Sequence, residues 1–203
     1  MAKPAKRGKE ESNQDARRIV TPTFKASFPH LFKPSAIKGG EPKFSVTMLF
    51  PKDKDLSVIK LAMKHAKIEE FGPNSKEWPD DLESPVLDGD DFPDRQGYPG
   101  NWVIKASTGE EYPPEVIDEQ GDEILNAKDF YPGCFARAQV FCRVWTFGKK
   151  QGIQFMLNGV KKVGDGKPFG GRKSVKDTFA KVEDDDYESD LDGSDDSGDD
   201  SDF

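Results

Sequence analysis

Phe135-Ala-Arg-Ala-Gln-Val-Phe-Cys-Arg-Val-Trp-Thr-Phe147 alternates with a period of two residues from end to end. Period two is the signature of a strand with two distinct faces. The even positions, Ala136, Ala138, Val140, Cys142, Val144 and Thr146, are small and mostly apolar. The odd positions are Phe135, Arg137, Gln139, Phe141, Arg143, Trp145 and Phe147. Two arginines make the odd face costly to bury. The small residues suit the tight interior of a barrel, so the even face is expected inside. Gly148-Lys-Lys-Gln-Gly152 reads as a hairpin loop, and Ile153 to Val163 as the partner strand.

Working outward, Val20, Phe24, Ala26 and Phe28 alternate with polar residues and predict one strand face. Pro22 puts that end at an edge or a bulge. Lys33 to Pro42 is rich in turn residues. Lys43 to Phe50 alternates again, with Phe44, Val46, Met48 and Phe50 together. Asp55 to Phe71 carries Leu56, Ile59, Ala62, Met63 and Ala66 at helical spacing, with Asp55 able to cap and Gly72-Pro73 to stop it. Residues 73–100 read as a long loop. Trp102 to Ser107 is a short strand, and Val116-Ile117 another apolar piece. Ser174 to Val182 has a weak helical pattern. A mainly β fold follows: an OB-like five-stranded barrel with one helix and long loops. A β-sandwich would need more strands. The expected organisation is a disordered basic arm over 1–18, the barrel domain over 19–182 and a disordered acidic tail over 183–203.

Hydrophobic residues make up 34% of the chain and charged residues 33%, too polar for every part to pack. The charge is segregated. The tail holds 12 of the 38 acidic residues and none of the 30 basic ones, so residues 1–182 carry a net +4 against −8 for the whole. A basic body is compatible with a polyanionic partner. The only histidines are His30 and His65, and the only cysteines Cys134 and Cys142. They do not cluster, so neither a zinc site nor a disulfide framework is expected, and no metal or other cofactor. The N-terminus lacks an apolar signal core, and no apolar run could span a bilayer. A soluble intracellular protein without membrane contact is the expectation.

The odd face of Phe135–Phe147 interleaves aromatics with arginines. Bases stack on aromatic rings and phosphates meet guanidinium groups, so this is the chemistry of single-stranded nucleic-acid binding. The candidate residues are Phe135, Arg137, Phe141, Arg143 and Trp145, extended by Lys149 and Lys150 at the hairpin tip and by Lys161 on the return strand. Trp102 and Lys105 are also candidates, but a regular strand puts them on opposite faces, so only one can join the surface. The competing reading lets Phe141 and Trp145 fill the core, with the arginines at its edges. Asp88-Gly-Asp-Asp91 lacks EF-hand spacing and reads as a solvated acidic loop. Gly164 to Gly171 reads as a turn rather than a phosphate loop. No nucleophile–base constellation can be assembled, so no enzyme is expected.

The tail, EDDDYESDLDGSDDSGDDSDF from Glu183 to Phe203, is too charged to fold. Tethered to a basic domain at an effective concentration of roughly millimolar order, it could occupy the nucleic-acid groove in cis. Asp199, Asp200, Asp202 and the terminal Phe203 form a compact handle for a partner with a basic-rimmed apolar pocket. A purely solubilising role is the plainer alternative.

The basic body, acidic tail and final Phe resemble the single-stranded DNA-binding proteins of T7-type bacteriophages. Tyr131-Pro-Gly-Cys134, Gly152-Ile-Gln-Phe-Met-Leu-Asn-Gly-Val160 and Asp165-Gly-Lys-Pro-Phe-Gly-Gly171 resemble a phage single-stranded DNA-binding family with an OB barrel. The resemblance implies coating of single-stranded DNA during phage replication or recombination, in the cytoplasm of the infected bacterial host. It also implies recruitment by the tail of phage or host replication proteins such as polymerase or helicase-primase. An RNA-binding or RNA-chaperone OB protein, an acidic-tailed chaperone or scaffold for basic proteins, and, more distantly, a metal-dependent nuclease using the 88–94 carboxylates are the alternatives.

Overall fold

The computed structural model describes residues 16–36 and 39–169. All of them lie in one compact unit, Met1–Gly170. The acidic tail and the expected helix at Ser174–Val182 lie outside the described residues. The strands are β1 (Arg18–Val20), β2 (Phe24–Ser35), β3 (Lys43–Pro51), β4 (Val86–Asp88), β5 (Asn101–Gly109), β6 (Glu115–Ile117), β7 (Phe135–Phe147) and β8 (Lys150–Gly164). An α-helix, α1 (Ser57–Phe71), lies between β3 and β4. Among the described residues no helix is long and apolar enough to cross a membrane.

The five long strands close on themselves. β7 pairs with β2, β2 with β3 and β3 with β5, all antiparallel. β5 then pairs with β8 in parallel, and β8 returns antiparallel to β7. This is the five-stranded ring expected from the alternation. The short strands β1, β4 and β6 flank it, on β7, β5 and β8 respectively.

Ala136, Ala138, Val140 and Cys142 of β7 are fully buried, so the even face is indeed the inner one. They meet Phe24, Phe50, Ile104 and Phe155 from the other walls, with Phe24 and Phe50 edge to face at 5.8 Å. Helix α1 contributes Ile59, Ala62 and Ala66 to the same core. It starts two residues later than the sequence predicts. Leu56 is the N-cap residue, while the Asp55 carboxylate accepts the Ser57 N–H at 2.8 Å.

Four details differ from the sequence reading. First, Val20 and Phe28 do not share the inner face with Phe24 and Ala26; they are 54% and 56% exposed. The segment Thr21–Thr23 separates β1 from β2, and the β2–β3 register shifts between Ser27 and His30, so the alternation changes face. Second, β2 runs on through Ser35, into the stretch rich in turn residues. It pairs with β7 only at Phe24 and Lys25, so beyond them Pro29 and Pro34 have no ladder to break on that edge. Third, the 73–100 loop contains β4, hydrogen-bonded to β5. Fourth, the hairpin loop shrinks to Gly148-Lys149, since Phe147 already faces Lys150. Gly148 has φ 60°, at the position where a type II′ hairpin takes glycine.

Candidate nucleic-acid interface

The outer faces of β2, β3, β5 and β8 form the floor of an open groove of about 650 Å³. His30, Ser45, Thr47, Lys105, Ser107 and Gln154 line it, and the segment carrying Ser84, Leu87, Arg95 and Tyr98 forms its wall. Alternation explains the floor: Val46, Met48 and Phe50 of β3 point into the core, so Ser45 and Thr47 face the groove. Phe28 stands at the edge of the same groove. Burial, and then the like charge of Lys43, hold the Lys105 ammonium below the usual lysine range. Among the described residues it takes part in no ion pair. A cation in that state gains from any anion that reaches it.

Lys105 thus joins the surface and Trp102 does not. Trp102 is half-buried against the main core, with Lys52 Nζ 5.3 Å from its ring. Lys52 also bonds Asp88 at 2.7 Å and Asp90 at 2.5 Å; it holds the Asp88 carboxyl below its usual range and is itself held above its own, while the Gly100 N–H, and then Lys52, hold Asp90 down. The acidic loop is therefore a clip that fastens the groove wall to the end of β3, rather than a merely solvated turn.

The odd face of β7 is a second outer region, and the structure gives most of its side chains partners. Lys25 Nζ sits 5.9 Å from the Phe135 ring. Arg137 Nε donates to the Thr21 carbonyl at 3.2 Å. Arg17 and Arg18 lie 5.0 and 5.9 Å from the Phe141 ring. With the Gln154 amide turned so that its oxygen faces Arg143, that oxygen accepts from Nη2 at 2.8 Å and from Nε at 2.6 Å, which links the stripe to the groove floor. Trp145 is half-buried over Gly152, where a Cβ would come within 2.9 Å of the indole. At the hairpin tip Phe147 is 81% exposed, Lys149 is exposed, and Lys150 is 3.7 Å from Glu83. Lys161 lies opposite Arg137 and shares with it a smaller depression bordered by Val20, Glu115 and Ile117.

Sequence reasoning missed Phe28, His30, Ser45, Thr47, Arg95 and Tyr98. The polar face of Lys43–Phe50 was a visible signal for Ser45 and Thr47. The wall residues have none, because only the β4–β5 pairing brings their segment over the floor.

Tyr131–Cys134 and Asp165–Phe169 meet in space. Tyr131 Oη donates to Asp165 Oδ1 at 2.9 Å, the Gly166 N–H reaches Tyr131 Oη at 3.2 Å, and the Phe169 N–H reaches the Pro132 carbonyl at 2.9 Å. A Cβ on Gly166 would run into the Gly133 carbonyl, so the crossing requires glycine. Phe169 then packs on the small cluster of Leu49, Tyr98 and Val103, beside the groove.

A family model described as Enterobacter phage Enc34, ssDNA-binding protein, matches residues 17–190. The single-stranded DNA-binding protein from bacteriophage Enc34, solved in complex with ssDNA, is 30% identical with a TM-score of 0.65. The match covers 83% of this chain and 97% of that one. A C-terminal truncation of the Enc34 protein is also 30% identical, at a TM-score of 0.61 over 76% of this chain and 89% of that one. The single-stranded DNA-binding protein gp2.5 of bacteriophage T7 is 15% identical with a TM-score of 0.56, over 85% and 98%, a likeness of fold. None of the curated proteins compared matches.

Proposed function

The chain belongs to the Enc34 phage single-stranded DNA-binding family, and from that premise we propose that its groove and the adjoining stripe of β7 hold single-stranded DNA. The observation that carries this reading is Lys105, a partly desolvated cation on the floor of an open groove, without an ion pair among the described residues. Phosphates would meet Lys105 and Arg95, with the Ser45 and Thr47 hydroxyls as donors beneath. From Gln154 and Arg143 the strand would pass to Trp145, Phe147, Lys149 and Lys150, with Phe135, Arg137, Phe141 and Lys161 extending the surface at the other end of β7. Like its family, the chain is a binding protein rather than an enzyme. It coats single strands during phage replication or recombination in the cytoplasm of the infected host.

The acidic tail competes with DNA for the groove and recruits replication proteins through Asp199, Asp200, Asp202 and Phe203. Support comes from its 12 carboxylates, set against the net +4 of residues 1–182. Titration of a labelled single strand with the full chain, and with a chain lacking 183–203, tests both parts. The shortened chain should bind more tightly at low salt, and the difference should vanish at high salt, where the field is screened. Phe203→Ala should keep DNA affinity and lose pull-down of replication proteins. Equal affinity of the full chain for duplex and single strands would sink the assignment, and preference for a matched RNA would favour the RNA-binding alternative.

A further inference from the structure

We infer that Phe28 is a base-stacking platform, displayed over the groove by a bulge in β2. The inference rests on the groove reading above and adds to it a residue and a mode of contact. Between Ser27 and His30, β2 advances three residues while β3 advances two, from Thr47 to Ser45. The extra residue falls at Phe28-Pro29, and a bulge of this kind re-aims a side chain. Phe28 has φ 44°, left-handed backbone that a bulky residue rarely adopts. The following Pro29 further restricts it. Every other positive-φ position among the described residues is a glycine. The backbone at 28 therefore asks for glycine, and the chain supplies phenylalanine.

Burial does not explain the choice. The residue is 56% exposed and belongs to neither apolar cluster. A strained residue with an exposed ring, at the edge of a groove that holds His30, Arg95 and Lys105, fits a flat aromatic ligand attached to negative charge. A nucleotide base with its phosphate is that ligand. The ring gives sequence-tolerant stacking while the groove meets the backbone.

The test compares Phe28→Gly, Phe28→Asn, Phe28→Trp and Lys105→Ala in the full chain, against a thymidine oligonucleotide and an abasic strand of equal length. Phe28→Gly and Phe28→Asn should melt at or above the parent's temperature, since both residues accept left-handed backbone. They should bind the thymidine strand about 5- to 150-fold more weakly, the range of one lost stacking contact, with the salt dependence unchanged. Their affinity for the abasic strand should equal the parent's. Phe28→Trp should retain binding, with indole emission quenched beyond the parent's on adding the thymidine strand. If Lys105→Ala weakens binding while the ring-less variants match the parent, the inference fails and the groove stands. If neither weakens binding, the groove reading fails with it. An equal loss on both strands overturns stacking in favour of a purely structural effect.

Discussion

The groove and the β7 stripe lie on the outside of the same barrel, yet they differ in how many of their side chains are already engaged. On the stripe Phe141 faces two guanidinium groups, Phe135 faces Lys25, Arg137 holds a carbonyl and Arg143 holds Gln154. In the groove Arg95 also rests on rings, 5.1 Å from Phe92 and 5.4 Å from Tyr98, but Lys105 makes no ion pair among the described residues and Phe28 is 56% exposed. Exposed cation–π pairs are worth about 0.5–1 kcal/mol each, and a ligand on the stripe must displace or match them. A ligand that meets Lys105 and Phe28 displaces chiefly water. Binding chemistry written into a sequence is thus not the same as binding capacity left vacant by the fold.

The largest expected effect sets the two regions against each other. Lys105→Glu should weaken single-strand binding on the order of 100-fold at low salt, because a like charge then faces the phosphates. Arg137→Glu on the stripe should cost far less, and equal losses by fluorescence anisotropy would erase the distinction. Next, Arg143→Ala should lower affinity several-fold and reduce the slope of log affinity against log salt by about 0.7, one phosphate contact. Trp145→Ala should weaken binding without moving the slope. Gln154→Ala should reproduce part of the Arg143 effect, since it frees the guanidinium that Gln154 orients.

A smaller effect comes from pH. An anion favours the charged form of Lys105, whose ammonium is disfavoured in the free protein. Binding should therefore take up a proton, and affinity should fall as pH rises through that lowered range, before ordinary lysines titrate. Lys105→Arg should remove this early fall. The smallest effect belongs to the clip. The Asp88 and Asp90 carboxyls are lowered, so their contribution is full above the ordinary Asp range and is lost as pH falls through the lowered values. The Lys52 contribution is full below the ordinary lysine range and lost as pH climbs past its raised value. Between those limits Lys52→Ala should shift melting and DNA affinity only slightly, because the groups are exposed and screened.

The barrel was legible because alternation is local. Seven residues of β7 with two arginines on one side settle its inner face without knowledge of any neighbour. Three alternating runs, the hairpin partner of β7 and a shorter strand at Trp102 likewise give the five-stranded count. The groove was not legible because no single strand contains it. Ser45 and Thr47, Lys105 and Ser107, and Gln154 come from three strands whose alignment depends on pairing register. Phe28 was misplaced for a sharper reason. It continues the period of Phe24 and Ala26, and one inserted residue reverses the face. The stretches Tyr131–Cys134 and Asp165–Phe169 carried a family resemblance in the sequence, and the glycine crossing shows what they do: each excludes a side chain where the other passes.

The ring has a kinetic corollary. Phe24 pairs with Ala136, and β5 meets β8 in parallel, so closure joins residues far apart in the chain. Such long-range pairing makes folding slow, in the range of milliseconds to seconds for barrels of this kind. The groove floor includes Gln154 of β8, so no N-terminal portion of the chain possesses the complete floor. During synthesis the polyanionic tail emerges only after the last strand. A chain stalled before β8 should bind DNA no better than a generic basic polymer, and the competence to bind should arrive in one step with that strand.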